Sequence, residues 1–294
     1  MDRTLGIGGS DAAAACGRSK WKTRYQLWLE KTGQLPPKVD TEEMRWGRRL
    51  EAAILEEYAE REGVQLKRSN ITIRHPDIEW MTANLDGWHG NIVVDAKTSR
   101  MPDEWGDGGS DEIPEDYKFQ GQHYLAVTGL DRVHFPTLFF GSTYKLFDVP
   151  RDDEFIVELI AQEHEFWRLV ETKTPPTPAN EEDCRLRWST DNGQRVDALA
   201  ESDIAKTFVD LAHVRKVRRA HKQLEESLRL ELLKHLQDDS ELWIDGSQAC
   251  TYKQSKSSTR LDRDKLRDEY PDIYKQVCVT KPGSRRLLFK GDFA

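Results

Sequence analysis

The sequence predicts an α/β protein in which helices flank a mixed central sheet. Helix-like and strand-like segments alternate along the first 172 residues. The helix-like segments carry apolar side chains at three- and four-residue spacing, which is typical of helices that bury one face. The strand-like segments are short runs rich in Val, Ile and aromatic residues, as expected for a sheet covered by those helices.

The order of the elements follows from these periods and from the glycines and prolines between them. A glycine-rich turn at 4–17 leads into an alanine-rich helix, for which Ser10 or Asp11 is the expected N-cap. Prolines at 36 and 37 separate the second helix from the third. The predicted helices cover about 25–31, 42–61, 115–128 and 152–172, and the predicted strands cover about 70–75, 80–84, 91–97, 132–141 and 144–149.

The proline-rich segment T-K-T-P-P-T-P-A at 172–179 predicts a boundary between domains. We therefore divide the chain into a core domain, 1–172, a linker, 173–180, and an accessory region, 181–294. The accessory region is expected to hold one long charged helix at about 198–237 and a small β element at about 242–252 and 285–290. The apolar stripe of that helix is expected to pack on the core domain or on another subunit.

Composition excludes several classes of protein. The four cysteines are far apart with no C-x-x-C pair, which argues against a zinc ribbon, an iron–sulfur site or a disulfide scaffold and favours a reducing cytoplasm. No apolar run is long enough to span a membrane, and the N-terminus lacks the pattern of a secretory signal. The net charge of −8 is uneven, since residues 201–294 hold 19 Lys and Arg against 16 Asp and Glu. Net charge therefore does not exclude a nucleic-acid substrate.

The segment N-L-D-G-W-H-G-N-I-V-V-D-A-K-T, residues 84–98, places charged side chains where a buried strand should end. Asp95 and Lys97 are two residues apart and so point to one face of that strand. Asp86 lies just before a glycine turn that can return it to Asp95. Paired carboxylates repel each other unless a cation lies between them, and their hard oxygens suit Mg²⁺ or Mn²⁺. The alternative is a plain Asp–Lys ion pair beside an unrelated turn aspartate.

Further residues favour the metal interpretation, in which Lys97 orients a metal-held water and stabilises charge on a phosphate. Glu51 falls within the apolar stripe of the helix at 42–61, where an inward carboxylate needs a metal or another cation as partner. Tyr117 and Gln120 lie at the start of the helix at 115–128, and a glutamine amide there can hold an attacking water. The alternative for these two is that they are ordinary helix-surface residues.

The basic run R-S-K-W-K-T-R at 18–24 is the strongest candidate for a DNA contact. Lys20, Lys22 and Arg24 would follow the phosphate backbone, and Trp21 between them offers a stacking surface. A second basic run at 215–222 lies on the long amphipathic helix and is interpreted as a solvated face.

Six blocks in sequence order resemble the YqaJ-like viral recombinase family, which is related to the lambda-type phage alkaline exonucleases of the PD-(D/E)xK superfamily. The blocks lie within about residues 3–170 and read G-I-G-G-S-D-A-A-A, W-K-T-R-Y-Q-L-W-L-E-K-T-G, W-G-R-R-L-E, N-L-D-G, D-A-K-T and Y-K-F-Q-G-Q-H-Y-L-A-V-T-G. The resemblance implies a PD-(D/E)xK core, a restriction-endonuclease-like fold, over residues 1–172.

The resemblance also implies a Mg²⁺-dependent DNase with two ions per site and Mn²⁺ as a substitute. Such an enzyme resects linear duplex DNA from the 5′ end and leaves a 3′ overhang for a single-strand annealing protein. A ring-shaped homo-oligomer, a bacterial cytoplasm and a phage or prophage origin would fit this activity. The implied metal ligands are Glu51, Asp86 and Asp95, the catalytic pair is Lys97 and Gln120, and the implied 5′-phosphate contacts are Arg3 and Ser10.

Two departures from the family pattern bear on this expectation. Asp95 stands where the superfamily usually has Glu, and Asn84 stands where the lambda-type enzymes have a phosphate-binding serine. Recognition of the 5′-phosphate is therefore the weaker expectation. Two alternatives stay open: an endonuclease or nickase with the same site, and a non-catalytic DNA-binding recombination scaffold.

Overall fold

The fold is taken from a computed structural model, which describes residues 6–35, 40–68, 71–280 and 283–289. The chain divides into two compact units, Met1–Arg187 and Trp188–Ala294. The segment predicted as a linker, 173–180, precedes that division. The residues after it stay with the first unit, where the hydroxyl of Thr23 donates a hydrogen bond to buried Asp183 over 2.9 Å.

The first unit opens with a short strand that runs directly into a helix. The first four elements are β1 (Ile7–Gly8), α1 (Gly9–Ala15), α2 (Arg24–Lys31) and α3 (Glu42–Glu62). The expected N-cap of α1 was wrong: Gly8 is the N-cap, because the backbone is extended there and already helical at Ser10. Asp11 instead accepts the N–H of Gly8 from within the first turn, over 3.4 Å. α3 ends as predicted at Gly63, whose φ of 64° is the left-handed conformation that glycine adopts without strain.

A small sheet joins the N-terminus to the predicted hairpin. β2 (Ile73–Arg74) and β3 (Met81–Ala83) pair in antiparallel fashion, which confirms the hairpin. β1 adds to β3 in parallel and gives the order β1-β3-β2. The sequence did not predict β1, because its two residues are too short to show a strand period.

A larger mixed sheet carries the acidic segment. Its strands are β4 (Gly87–His89), β5 (Ile92–Val94), β6 (Lys97–Ser99), β7 (Arg132–Phe139) and β8 (Thr143–Pro150). β5 and β6 both run parallel to β7, whereas β4 pairs with β5 and β8 pairs with β7 in antiparallel fashion. This combination of parallel and antiparallel pairs confirms the predicted mixed sheet.

β5 and β6 are one strand interrupted at Asp95 and Ala96. Both halves keep the same register on β7, with Val94 opposite His134 and Lys97 opposite Thr137. Pro136 lies opposite the gap. Proline has no N–H to give to the neighbouring strand, so the ladder loses one hydrogen bond there. The N–H of Asp95 points to β7, so the N–H of Ala96 points to the opposite edge, where the pairing with β4 has ended and a side chain can accept from it.

Helices cover the sheets. They are α4 (Glu115–Thr128), α5 (Asp153–Glu171) and α6 (Glu181–Arg187), and a 3-10 turn spans Pro102–Glu104. α4 is buried along most of its length. Its contact with α1 is close, since a Cβ on Gly9 would lie 2.4 Å from the ring of Tyr124. A glycine is therefore required at this crossing.

The second unit is built around one long helix. Its elements are α7 (Asp203–Leu236), β9 (Glu241–Ile244), β10 (Ser247–Thr251), α8 (Arg263–Glu269) and α9 (Pro271–Val277). β9 and β10 pair in antiparallel fashion, which confirms the β element predicted at about 242–252. The strand expected at 285–290 was wrong over 285–289, where the chain is irregular, and residue 290 lies outside the described part. No helix in the described ranges is long and apolar enough to cross a membrane.

Candidate active site

Asp86 and Asp95 meet at the interruption of the long strand. Gly87 pairs with Val94, so the antiparallel register brings the residue before Gly87 beside the residue after Val94. Oδ2 of Asp86 accepts a hydrogen bond from the backbone N–H of Ala96 over 2.9 Å. Asp95 stays in the ladder, because its N–H donates to the carbonyl oxygen of His134 over 3.0 Å. The expected juxtaposition of the two acids is present.

Lys97 lies beside the two acids. Its ammonium group forms an ion pair with Oδ2 of Asp95. It also donates a hydrogen bond to Oε1 of Gln120 over 3.1 Å. The ring of Tyr117 lies 4.8 Å from Nζ of Lys97. Tyr117 and Gln120, both on α4, thus face the Asp–Lys motif rather than solvent.

Gln120 links the lysine to the acid. Its Nε2 lies 3.4 Å from Oδ1 of Asp95 and donates to the hydroxyl of Tyr124 over 2.8 Å. Gln122, two residues further along α4, has a different role: its side chain forms hydrogen bonds with the backbone of Pro150 and Asp152 over 2.8 and 3.0 Å. It therefore holds the start of α5 and stays away from the acids.

The charges of the site act strongly on one another. Burial raises the pKa of Asp86, and the nearby carboxylates of Asp95 and Glu51 raise it further, to about 7. Burial lowers the pKa of Lys97, but the charge and hydrogen bond of Asp95, together with the charges of Tyr117 and Asp86, outweigh burial, so its pKa is raised overall. The lysine therefore stays charged at neutral pH.

Glu51 is close enough to influence Asp86 but has another partner. Its Oε1 accepts a hydrogen bond from Arg68 over 3.2 Å, at a partly exposed position. Within the described ranges, no group of three or more His, Cys, Asp and Glu side chains is arranged to hold a metal ion. The residues that fit a divalent cation are therefore the oxygen pair Asp86 and Asp95, with Glu51 nearby on α3.

The structure describes all but one of the N-terminal candidates. Ser10 is exposed in the first turn of α1, and Arg3 lies outside the described residues. Trp21 is 68% exposed, and Nζ of Lys20 lies 4.8 Å from its ring centre while pairing with Glu104.

Two of the basic residues expected to contact DNA are engaged within the protein. Lys22 pairs with Glu30 over 2.5 Å and with Asp11 over 3.7 Å. Arg24 pairs with Glu165 over 3.4 Å. In this segment the Trp21 ring is therefore exposed, whereas Lys20, Lys22 and Arg24 are all paired with carboxylates.

A polar network behind the site was not found from the sequence. The hydroxyl of Tyr58 on α3 lies 2.7 Å from Nε2 of His89 and 2.7 Å from Nδ1 of His134. His89 belongs to the strand after Asp86, and His134 accepts the N–H of Asp95. This Tyr–His–His network ties the helix that bears Glu51 to both acid-bearing segments. The signal in the sequence was the seven-residue spacing of Glu51 and Tyr58, two helical turns apart on one face.

A mixed sheet flanked by helices, with an Asp-x-Lys pair at a strand interruption and a second aspartate beside it, defines the PD-(D/E)xK fold class. Solved structures of an alkaline exonuclease share this fold with part of the chain. The alkaline exonuclease LHK-Exo of Laribacter hongkongensis matches with a TM-score of 0.50 and 20% identity over 58% of this chain and 90% of that one. Its complex with dAMP matches with a TM-score of 0.51 and 19% identity over the same shares.

Sequence comparison gives the family. The YqaJ-like viral recombinase domain matches residues 1–131. The uncharacterized protein YqaJ of Bacillus subtilis (strain 168) is 32% identical over 292 residues, which cover 94% of this chain and 89% of that protein. The chain belongs to the YqaJ-like viral recombinase family.

Proposed function

We propose that this chain is a metal-dependent deoxyribonuclease that resects linear duplex DNA from the 5′ end and leaves 3′ single-stranded overhangs. One observation carries the proposal: Asp86, Asp95, Lys97 and Gln120, which come from separate elements of the fold, meet at one strand interruption. Membership of a recombinase family and the fold of alkaline exonucleases support it. The partner expected for such an overhang is a single-strand annealing protein, in a bacterial cytoplasm.

The proposed cofactor is Mg²⁺, with Mn²⁺ as a substitute and two ions per site. Asp86 and Asp95 would hold the first ion. Glu51 would bind the second ion and give up its hydrogen bond with Arg68. When bound, such ions supply a more acidic water and positive charge next to the phosphate.

The protein's own groups would position the reactants. The Lys97 ammonium group would orient the attacking water and stabilise negative charge on the phosphate. Gln120 would hold that ammonium group in place, since it accepts one of its hydrogen bonds over 3.1 Å. The N–H of Ala96 would fix the Asp86 carboxylate in the orientation that a ligand needs.

The proposal is tested by digestion of three DNA substrates with the purified full chain. These are linear duplex with a 5′-phosphate, linear duplex with a 5′-hydroxyl, and covalently closed circular duplex, each with Mg²⁺ and with EDTA. We expect Mg²⁺-dependent loss of the linear substrates from their 5′ strands, with the circle intact. Cutting of the circle would instead identify an endonuclease or nickase.

A lysine variant separates catalysis from binding. Lys97→Ala should lower the rate by about 100- to 1,000-fold, the usual cost of removing one preorganised group that stabilises transition-state charge. Lys118→Ala removes a half-buried lysine of α4 whose Nζ lies 5.4 Å from the ring centre of Phe155; it is the matched control and should cleave like the parent chain. Unchanged cleavage by Lys97→Ala would overturn the assignment, and an inactive parent chain that still binds DNA would indicate a scaffold.

A further inference from the structure

A cleft of about 580 Å³ opens beside the candidate active site. Thr98 and Ser99, which directly follow Lys97, line it, and so does Tyr117, whose ring lies 4.8 Å from the lysine Nζ. The opposite walls come from the first turns of α3 and from the turn between β7 and β8. The cleft thus adjoins the site proposed above for phosphodiester hydrolysis, with Tyr117 between them.

Three large rings on separate segments border this cleft and remain exposed to solvent. Trp21 is 68% exposed, Trp46 on α3 is 49% exposed, and Phe140 in the β7–β8 turn is 63% exposed. Single exposed aromatic side chains are ordinary on protein surfaces, but several around one cleft mark a binding site. Cations lie over two of these rings, Lys20 at 4.8 Å from the centre of Trp21 and Arg49 at 5.4 Å from that of Trp46, and the exposed remainder of each ring suits a flat ligand.

The backbone at Phe140 supports a binding role. The N–H of Ser142 donates to the carbonyl oxygen of Phe139 over 3.0 Å, and both residues between them have positive φ, 51° for Phe140 and 76° for Gly141. Asn, Asp or Gly adopts such a turn position readily, whereas a bulky residue there is strained. The protein therefore carries an exposed ring at a position where a smaller polar residue would be more stable, as is found at functional sites.

The charges of the cleft indicate which part of a nucleotide it accepts. Its lining includes the cations Lys20 and Arg100 and the anions Glu43, Glu104 and Asp116. Lys20 is paired with Glu104. A lining with one more anion than cation does not attract phosphates, but its carboxylates can accept hydrogen bonds from the amino groups of nucleobases.

We infer that this cleft is a stacking site for unpaired nucleobases of the DNA strand that enters the active site. Trp21, Trp46 and Phe140 would stack on successive bases, while the phosphates remain near Lys97. A site of this kind is sequence-tolerant, because every base has a stacking face. The inference rests on the proposed nuclease function, and it adds that the substrate end is held with its bases unpaired.

The test compares two oligonucleotides of equal length and charge, one of thymidines and one of abasic residues. Affinities are measured by fluorescence anisotropy with the full chain carrying Lys97→Ala, in Mg²⁺, so that hydrolysis is suppressed. We expect the thymidine strand to bind more tightly than the abasic strand. Adding Trp46→Ala should reduce the ratio of the two affinities by about 5- to 150-fold, which corresponds to the loss of one base–aromatic stack. The reduction cannot exceed the ratio measured before Trp46 is replaced.

Two further variants make the result specific. Phe140→Asn should also reduce the preference while raising the thermal midpoint, because asparagine relieves the strained turn. A purely structural Phe140 would leave the preference unchanged. Trp243→Ala removes a comparably exposed ring in the second unit and should leave both quantities at the parent values.

The outcomes separate this inference from the proposed function. If Trp46→Ala and Phe140→Asn keep the full preference for thymidines over abasic residues, the stacking site is wrong, and the cleft receives another ligand such as a protein segment. Cleavage of duplex DNA by the chain with Lys97 intact tests the nuclease proposal separately. An active nuclease with no base preference would therefore overturn this inference alone.

Discussion

Nζ of Lys97 donates a hydrogen bond to Oε1 of Gln120 over 3.1 Å, which joins the interrupted strand to helix α4. The same amide group approaches Asp95 through its Nε2 and is anchored by the hydroxyl of Tyr124. A glutamine is the side chain that can accept from the lysine and donate to the acid and the tyrosine at once. We infer that Gln120 positions the charged pair.

Replacing Gln120 with leucine should lower kcat without preventing folding. The leucine removes the acceptor for Lys97 and the donor near Asp95, and loss of such a supporting group typically costs about 10- to 100-fold in activity. The measurement is steady-state cleavage of linear duplex with kcat and KM determined separately. We expect KM for DNA to change little. A parental kcat in Gln120→Leu would contradict the positioning role.

The Tyr58 hydroxyl is expected to stabilise the fold and to align α3 with the acids. Tyr58→Phe leaves the ring in place but deprives His89 and His134 of a partner, so it should lower the free energy of unfolding by about 1–3 kcal/mol. It should also raise the Mg²⁺ concentration needed for half-maximal cleavage, because Glu51 lies on the same helix. Urea denaturation and a Mg²⁺ titration measure the two effects.

Tyr144→Phe is the matched control for that variant. Among the described residues, no hydrogen-bond partner lies near the buried hydroxyl of Tyr144, and Arg61 lies 4.3 Å from the centre of its ring. Removing an unsatisfied hydroxyl while keeping the ring should be neutral or stabilising. If both variants lose the same stability, the Tyr–His–His network has no special role.

Close packing of α1 on α4 gives a prediction about backbone geometry. Gly9→Ala would place a Cβ 2.4 Å from the ring of Tyr124, so it should destabilise the protein by about 1–3 kcal/mol. Because Tyr124 anchors Gln120, cleavage should also slow. Gly47→Ala on α3 meets no atom within 4 Å and should instead stabilise by about 0.5–1 kcal/mol. Thermal unfolding of both variants measures these opposite changes in stability. A Gly47→Ala variant that is less stable than the parent chain would contradict the prediction.

Local pattern was enough to predict most of the fold. The bounds of α3 and α4 followed from helical periodicity and from the terminating residues Gly63 and Gly129. The positions of β7 and β8 followed from two runs of strand-forming residues around a short turn. Each of these features is decided by residues close together in the chain.

Features that depend on distant residues were not predictable in the same way. The break at Asp95 reflects Pro136, which lies 41 positions along the chain. β1 forms because its backbone pairs with the edge of β3, and the residue types of Ile7 and Gly8 alone do not predict a strand. The partner of Glu51 was not predicted either, because Arg68 reaches it from the segment after α3. The acids and lysine were predictable because the chemistry required them in one place.

The buried ion pair between Asp11 and Lys31 predicts a pH-dependent stability. Nζ of Lys31 lies 2.6 Å from Oδ2 of Asp11, and both side chains are more than 90% buried. Burial raises the pKa of Asp11, but the charges of Lys31 and Lys22 outweigh it, so that its pKa lies below the ordinary value of 3.8. The stabilisation by this ion pair is therefore complete above pH 3.8, the ordinary pKa of Asp11. It is lost as the pH falls through the lowered pKa of Asp11 in the folded state.

Asp11→Asn should accordingly cost about 3–5 kcal/mol at neutral pH, because it leaves Lys31 without this carboxylate in a buried position. The difference in free energy of unfolding between the parent chain and the variant should shrink below pH 3.8, because protonation of Asp11 removes the same interaction from the parent chain. Urea denaturation across this range measures it. Glu57→Gln, which breaks an exposed pair with Arg61, should cost about 0.5 kcal/mol or less. If Asp11→Asn lowers the free energy of unfolding by the same amount at every pH, packing rather than charge holds α1 to α2.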